Sequence, residues 1–170
     1  MMRHHTIFTR SGARRALALL VIAGALAWDG RADAEKVVII VNAAGPLRAR
    51  SDADIRDIFL GKIRVVADVT LQPVQLRGEI ATTFLREVVG MSEREFQLYW
   101  MRKAYEDGRL PPPALGSTEE VLRFVAGQPG AIGFVDDRSI SIGSSPGSSE
   151  TAAPGVLVIR EIDAGEGRSR

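Results

Sequence analysis

A chain of 170 residues with 22 basic and 21 acidic side chains carries a formal charge of only +1, and it holds no cysteine. The length suits one folded domain. Without a thiol there is no disulfide, no thiolate metal site, no cysteine nucleophile and no lipidated cysteine.

Residues 1–34 read as a signal peptide. Arg3, Arg10, Arg14 and Arg15 precede the apolar run "ALALLVIAGALA" from Ala16 to Ala27, and Ala-x-Ala arrangements follow at Ala25 to Ala27 and Ala32 to Ala34. The run is shorter than the roughly 20 apolar residues that cross a bilayer, so the expectation is export to the periplasm rather than a membrane-embedded protein. Arg14 and Arg15 sit in a poor twin-arginine context and count as ordinary leader charge. Cleavage falls after Ala27 or Ala34. The second site removes five of the 22 basic and two of the 21 acidic residues, leaving 17 against 19, a net of −2.

That balance gives no electrostatic case for nucleic acid. His4 and His5 leave with the leader, so histidine triads and imidazole metal sites are excluded as well. No GxSxG elbow occurs, and Gly61-Lys62 lacks the rest of a phosphate-binding P-loop. A hydrolase built on Glu79, Asp136 and Asp137 has nothing to fix those carboxylates as a pair. The expectation is a protein that is not an enzyme, with no cofactor and no metal.

"KVVIIVN", Lys36 to Asn42, is a nearly continuous β-branched run, the pattern of a central strand buried on both faces of an α/β sheet. Ser51 with Asp54 marks a helix start, Ile55, Ile58 and Phe59 give that helix its apolar face, and Gly61 stops it. "KIRVVADVTLQPVQL" holds two β-rich runs, at about 62–66 and 73–77, which read as an extended pair joined by a short polar turn. Helical spacing returns in "EIATTFLREVVG", with Ile80, Phe84, Leu85, Val88 and Val89 on one face and Gly90 at the stop.

Ser92 and Glu95 form a capping-box pair for the next helix. Its face of Phe96, Tyr99, Trp100 and Ala104 is expected to be core rather than an aromatic ligand platform. The prolines of "GRLPPPALG" cannot continue a helix, which makes that stretch a rigid connector. Ser117 and Glu120 then cap a helix with Val121, Leu122 and Val125 facing inward, ending before Pro129. A strand follows from Ala131 to Val135, and its internal Gly133 points to a bulge or a close backbone approach. Residues 138–155 are rich in Ser, Gly and Pro and read as a flexible loop, "VLVIREI" at 156–162 reads as the last strand, and 163–170 as a disordered tail.

The order "VVIIVN", "IRDIFLGKI", a strand leading into "TTFLREVV", and "VLRFVAGQPGAIGFV" resembles the phosphate-binding-protein-like family, the type II periplasmic substrate-binding proteins of phosphate ABC transporters. The resemblance covers about residues 37–137 and corresponds to one of the receptor's two lobes, as in short single-lobe exported members in which "FLREVVGM", "YW" and a Pro-rich connector recur. It implies an α/β fold, a single lobe with a mixed sheet flanked by helices. It also implies a small oxyanion such as phosphate as ligand, and an ABC transporter permease or another envelope protein as partner.

In that family an Arg and an Asp-x-Ser-Gly-Thr type sequence wrap the anion at a strand-to-helix turn. In "QLRGEIATTF" Arg77 stands for the arginine and Thr82 for the threonine ahead of the helical Phe84, with Gly78 and Thr83 beside them. Glu79, Ile80 and Ala81 replace the glycines and serine between, and Glu79 adds about 1–4 kcal/mol of repulsion toward a close anion. The same residues also suit an ordinary first helical turn, with Glu79 complementing the dipole and Arg77 paired to Glu79 or solvent. Asn42, at the end of the first strand, is a further ligand candidate, because ligands of open α/β sheets sit beyond strand carboxyl ends. Two functions follow: a periplasmic receptor-like domain holding a small oxyanion weakly, or a non-catalytic interaction module of the envelope that has lost ligand binding.

Overall fold

The computed structural model describes residues 36–140 and 151–163. The leader expected at 1–34 lies outside them, as do the middle of the Ser/Gly/Pro-rich segment, 141–150, and the tail beyond Asp163. In chain order the elements are β1 (Val37–Asn42), α1 (Asp52–Phe59), β2 (Val65–Val66), β3 (Val69–Thr70), β4 (Gln72–Pro73), β5 (Gln75–Leu76), α2 (Glu79–Phe84), α3 (Glu93–Asp107), β6 (Ala114–Leu115), α4 (Thr118–Gly127), β7 (Ala131–Asp136), β8 (Thr151–Ala153) and β9 (Val156–Ile162). The result is a mixed α/β fold with helices flanking a mixed sheet.

All six residues of β1 are buried, as its β-branched run predicts, and the strand lies in the middle of a five-stranded sheet of order β4-β7-β1-β9-β8. β1 runs antiparallel to β7, with Val37 opposite Asp136 and Val41 opposite Ile132, and antiparallel to β9 on its other side. β4 runs parallel to β7, Gln72 beside Ala131 and Pro73 beside Ile132. Gly133 of β7 is where α4 and the chain leading into β5 close in. A Cβ there would stand 2.9 Å from Val121 Cγ1 and from Val74 Cγ1, the close approach its sequence position predicts.

The helices begin where their caps are written. Ser51 Oγ accepts from the Asp54 amide and the Asp54 carboxylate accepts from Ser51 N, while Ile55, Ile58 and Phe59 of α1 turn inward. α2 continues into a π-helical turn at Leu85–Val89 and stops at Gly90, whose φ is +73°. Phe59 from α1, Phe84 from α2 and Phe134 from β7 meet in the core. Phe84 stacks on Phe134 at 4.1 Å between centroids, and Phe59 meets Phe84 edge-on at 4.6 Å. Each buried ring contributes about 1.5–3 kcal/mol, so the trio helps fasten the two helices onto the sheet.

Two expectations change. The runs at 62–66 and 73–77 do not pair with each other. Ala67 and Asp68 take φ of 47° and 63°, a two-residue turn that closes a tight hairpin of β2 on β3. The chain from Gln72 onward is then free to join β7 through β4, and β5 pairs in parallel with β6. Within the segment expected as a loop at 138–155, Asp137–Ile140 is a short 3-10 turn and β8 adds an antiparallel edge strand to β9.

Candidate ligand groove

β5 ends at Leu76, and the chain turns through Arg77 and Gly78 into α2. The turn is tied to the proline connector: Gln75 N donates to Pro113 O at 2.9 Å, Arg77 N to Leu115 O at 3.0 Å, and Gln75 Nε2 to Pro112 O at 3.0 Å. Prolines have fixed φ and no amide proton, so Pro111, Pro112 and Pro113, which follow Leu110, form a stiff strap whose backbone only accepts. Between this strap, the Arg77 turn and α3 lies a groove of about 910 Å³. Leu76, Leu85, Phe96, Trp100, Met101 and Leu110 make its walls mostly apolar, and Arg77 and Glu93 are its charged groups.

Arg77 is exposed, and its guanidinium makes no hydrogen bond or ion pair among the described residues; the Arg77–Glu79 pair that the sequence allows does not form. Gly78, at φ 107° and ψ −167°, begins α2 without a side-chain cap. Along α2 the helical period turns Ile80 and Phe84 into the core and Ala81 and Leu85 toward the groove. Thr82 is left exposed and Thr83 half-buried, and neither lines the groove. Arg77 and Gly78 thus both line the groove, and the two threonines do not.

Asn42 is separated from that turn by topology. β1 is antiparallel to β7 and β7 is parallel to β4, so the carboxyl end of β1 lies at the edge where β4 and β7 begin, opposite to the direction in which the chain runs on to Arg77. Its side chain is also engaged at both ends. Nδ2 donates to Val125 O at 2.8 Å and Ala126 O at 2.9 Å, and Oδ1 accepts from Ala44 N at 2.9 Å. Asn42 fastens the last turn of α4 to β1; the rule that ligands gather beyond strand ends assumed a parallel sheet.

A second depression of about 830 Å³ lies across the strap, with Arg64, Gln72, Asp107 and Arg109 among its lining. Trp100 belongs to both. Phe96 and Trp100 are core, as expected, and Tyr99 donates its hydroxyl to Leu60 O at 2.8 Å. Trp100 Nε1 is buried without a partner, a desolvated donor costing about 1–3 kcal/mol.

The sequence reading missed the other side of α3. Leu98, Met101 and Tyr105 are 48%, 66% and 94% exposed, and Leu110 just beyond the helix is 79% exposed. These are four of the five large apolar side chains that stand exposed among the described residues, and all lie in α3 or the strap. Their spacing of three and four residues was the available signal: α3 carries a second apolar stripe beside the one that packs inward.

Electrostatics around the stripe are set by local pairs. Ser92 N, then its hydroxyl, hold the Glu95 carboxyl below its ordinary value, and a hydrogen bond from Lys103 to Asp107 raises the lysine. Among the described residues no group of acidic side chains is arranged to hold a metal ion, and no helix is long and apolar enough to cross a membrane.

No protein-family model and no curated protein matches the chain. Solved structures of the receptor class named above do resemble it. An ABC-type phosphate transport receptor from Vibrio cholerae is 14% identical at a TM-score of 0.48, over 78% of this chain and 57% of that one. PstS from Borrelia burgdorferi is 12% identical at a TM-score of 0.47, over 78% of this chain and 58% of that one. The chain spans less than two thirds of the length of either protein.

Proposed function

We propose that this chain is a non-catalytic binding domain of the periplasm, and that its working surface is the groove between α3, the proline strap and the Arg77 turn. The observation that carries this reading is that Leu98, Met101, Tyr105 and Leu110 stand exposed on α3 and the strap, with Met101 and Leu110 lining the groove and Leu98 and Tyr105 on the outer face of α3 beside it. Large exposed apolar side chains that cluster in one place, rather than scattering singly, mark places where a partner docks. A groove with mostly apolar walls suits a protein segment of the cell envelope better than a bare, strongly hydrated anion. The accessory interaction module is therefore favoured over the receptor.

The receptor reading rests on one specific feature, the unpaired Arg77 guanidinium beside the uncapped start of α2. In that reading phosphate or another small oxyanion is held weakly there, and delivery to an ABC transporter permease is the natural use. Thr82 and Thr83 would have to be replaced as ligands by backbone amides.

Calorimetric titration with inorganic phosphate and with sulfate, repeated on Arg77→Ala, separates the two. The interaction module predicts no saturable heat from either anion, and cross-linking to an envelope protein that Tyr105→Asp abolishes. Saturable heat that disappears with Arg77→Ala would overturn it in favour of the receptor.

A further inference from the structure

The charges around the exposed stripe say what kind of partner it fits. On α3 the acids are nearly all engaged: Glu95 is locked to Ser92, and Glu106 and Asp107 lie 3.6 Å and 3.3 Å from Lys103, with Arg109 also on Asp107. The arginines are not. Arg94 and Arg102 make no hydrogen bond or ion pair among the described residues, and neither does Arg77 at the groove wall. Arg94, Leu98 and Arg102 recur every four residues, which stacks them in one column along the helix beside Met101 and Tyr105. Glu93 is the one acid of α3 left without a partner. The apolar stripe is thus bordered by uncommitted positive charge.

Resting on the interaction reading above, we infer that the groove and the outer face of α3 bind an acidic amphipathic protein segment, with its apolar side chains against Met101, Tyr105 and Leu110 and its carboxylates on Arg94, Arg102 and Arg77. Three alternatives fit less well. A second copy of this chain, paired about a two-fold axis through α3, brings Arg102 toward its own counterpart, which like charges disfavour. A lipid surface is flat and leaves a concave groove of about 910 Å³ unfilled. A basic segment meets the three free guanidinium groups of Arg77, Arg94 and Arg102 against two free carboxylates, Glu93 on α3 and Glu79 beside Arg77.

The test uses two labelled 16-residue helical probe peptides with the same leucine face, one with glutamate and one with lysine on its polar face, followed by fluorescence anisotropy. The glutamate probe is expected to bind at least about tenfold more tightly at low salt, with the preference shrinking in 0.5 M NaCl. Arg94→Glu combined with Arg102→Glu removes or reverses the preference. Tyr105→Asp weakens binding of the glutamate probe, and because Tyr105 is 94% exposed this change leaves the fold intact, as thermal unfolding would check.

Equal binding of the two probes would overturn the acidic partner while leaving the docking surface standing. Binding of neither probe, together with saturable heat from phosphate, would remove the interaction reading and this inference with it. Binding only to anionic phospholipid vesicles, or concentration-dependent self-association lost in Tyr105→Asp, would replace the peptide by a membrane or a second copy.

Discussion

Substituting Gly61 tests how firmly the wall of the groove is built. Gly61 follows α1 at φ +66°, and a Cβ placed on it would lie 2.8 Å from Trp100 Cη2 and 3.6 Å and 3.7 Å from Cζ2 and Cζ3. Gly61→Ala therefore combines two costs. A non-glycine residue in the left-handed region loses about 1–2 kcal/mol. Forcing the indole away, with Phe96 and Tyr99 edge-on against it at 6.3 Å and 5.6 Å, adds about 1–3 kcal/mol of overpacking. Together they take about 2–5 kcal/mol from a stability that for a domain is only about 5–15 kcal/mol.

Gly108 supplies the internal control, because it also sits at φ +66° but a Cβ there meets nothing within 4 Å. Gly108→Ala is expected to lose only the backbone contribution, about 1–2 kcal/mol. Urea unfolding of the two variants, with the slope compared to show that the denatured state is unchanged, measures the difference. An equal loss of stability in both would mean that Trp100 yields freely, and the reasoning that its close packing makes it a firm wall of the groove would be wrong.

Asn42→Ala should cost about 1–3 kcal/mol, the usual loss when buried backbone groups forfeit their partner, and should leave any ligand titration unchanged. Asn42→Asp should cost more, since a carboxylate would face the Val125 and Ala126 carbonyls; chemical denaturation checks both. In the β2–β3 turn, Ala67→Asn with Asp68→Gly should stabilise by about 1 kcal/mol, because two residues at positive φ are replaced by types that adopt it readily; a raised melting temperature is the readout. Glu95 has its pKa lowered on folding, so its capping contribution is fully present above the ordinary glutamate range and is lost as pH falls through the lowered folded value. A carboxyl NMR titration should show Glu95 with a depressed midpoint that rises only part of the way in Ser92→Ala, because the hydroxyl is lost while the Ser92 backbone amide, the larger cause, still donates.

Local patterns in the sequence carried the elements. The β-branched run placed β1 at the sheet centre, Ser51, Ser92 and Ser117 each accept from the amide three residues on, and the prolines announced the strap. These are properties of a few neighbouring residues, and the chain writes them directly. The site was only half legible. That Arg77 and Gly78 form a turn ahead of a helix could be read from the sequence; that Thr82 and Thr83 fall off the groove depends on which face of α2 the Phe59–Phe84–Phe134 cluster draws inward.

Tertiary structure alone decided two things. The antiparallel pairing of β1 with β7 sent Asn42 to the far edge of the sheet, and no local pattern states the direction in which distant strands meet. α3 has two apolar stripes, and packing covered Phe96 and Trp100 while leaving Met101 and Tyr105 in solvent. Periodicity shows that a helix has a face to bury; only the shape of the surface it meets selects which face is buried and which is left for a partner.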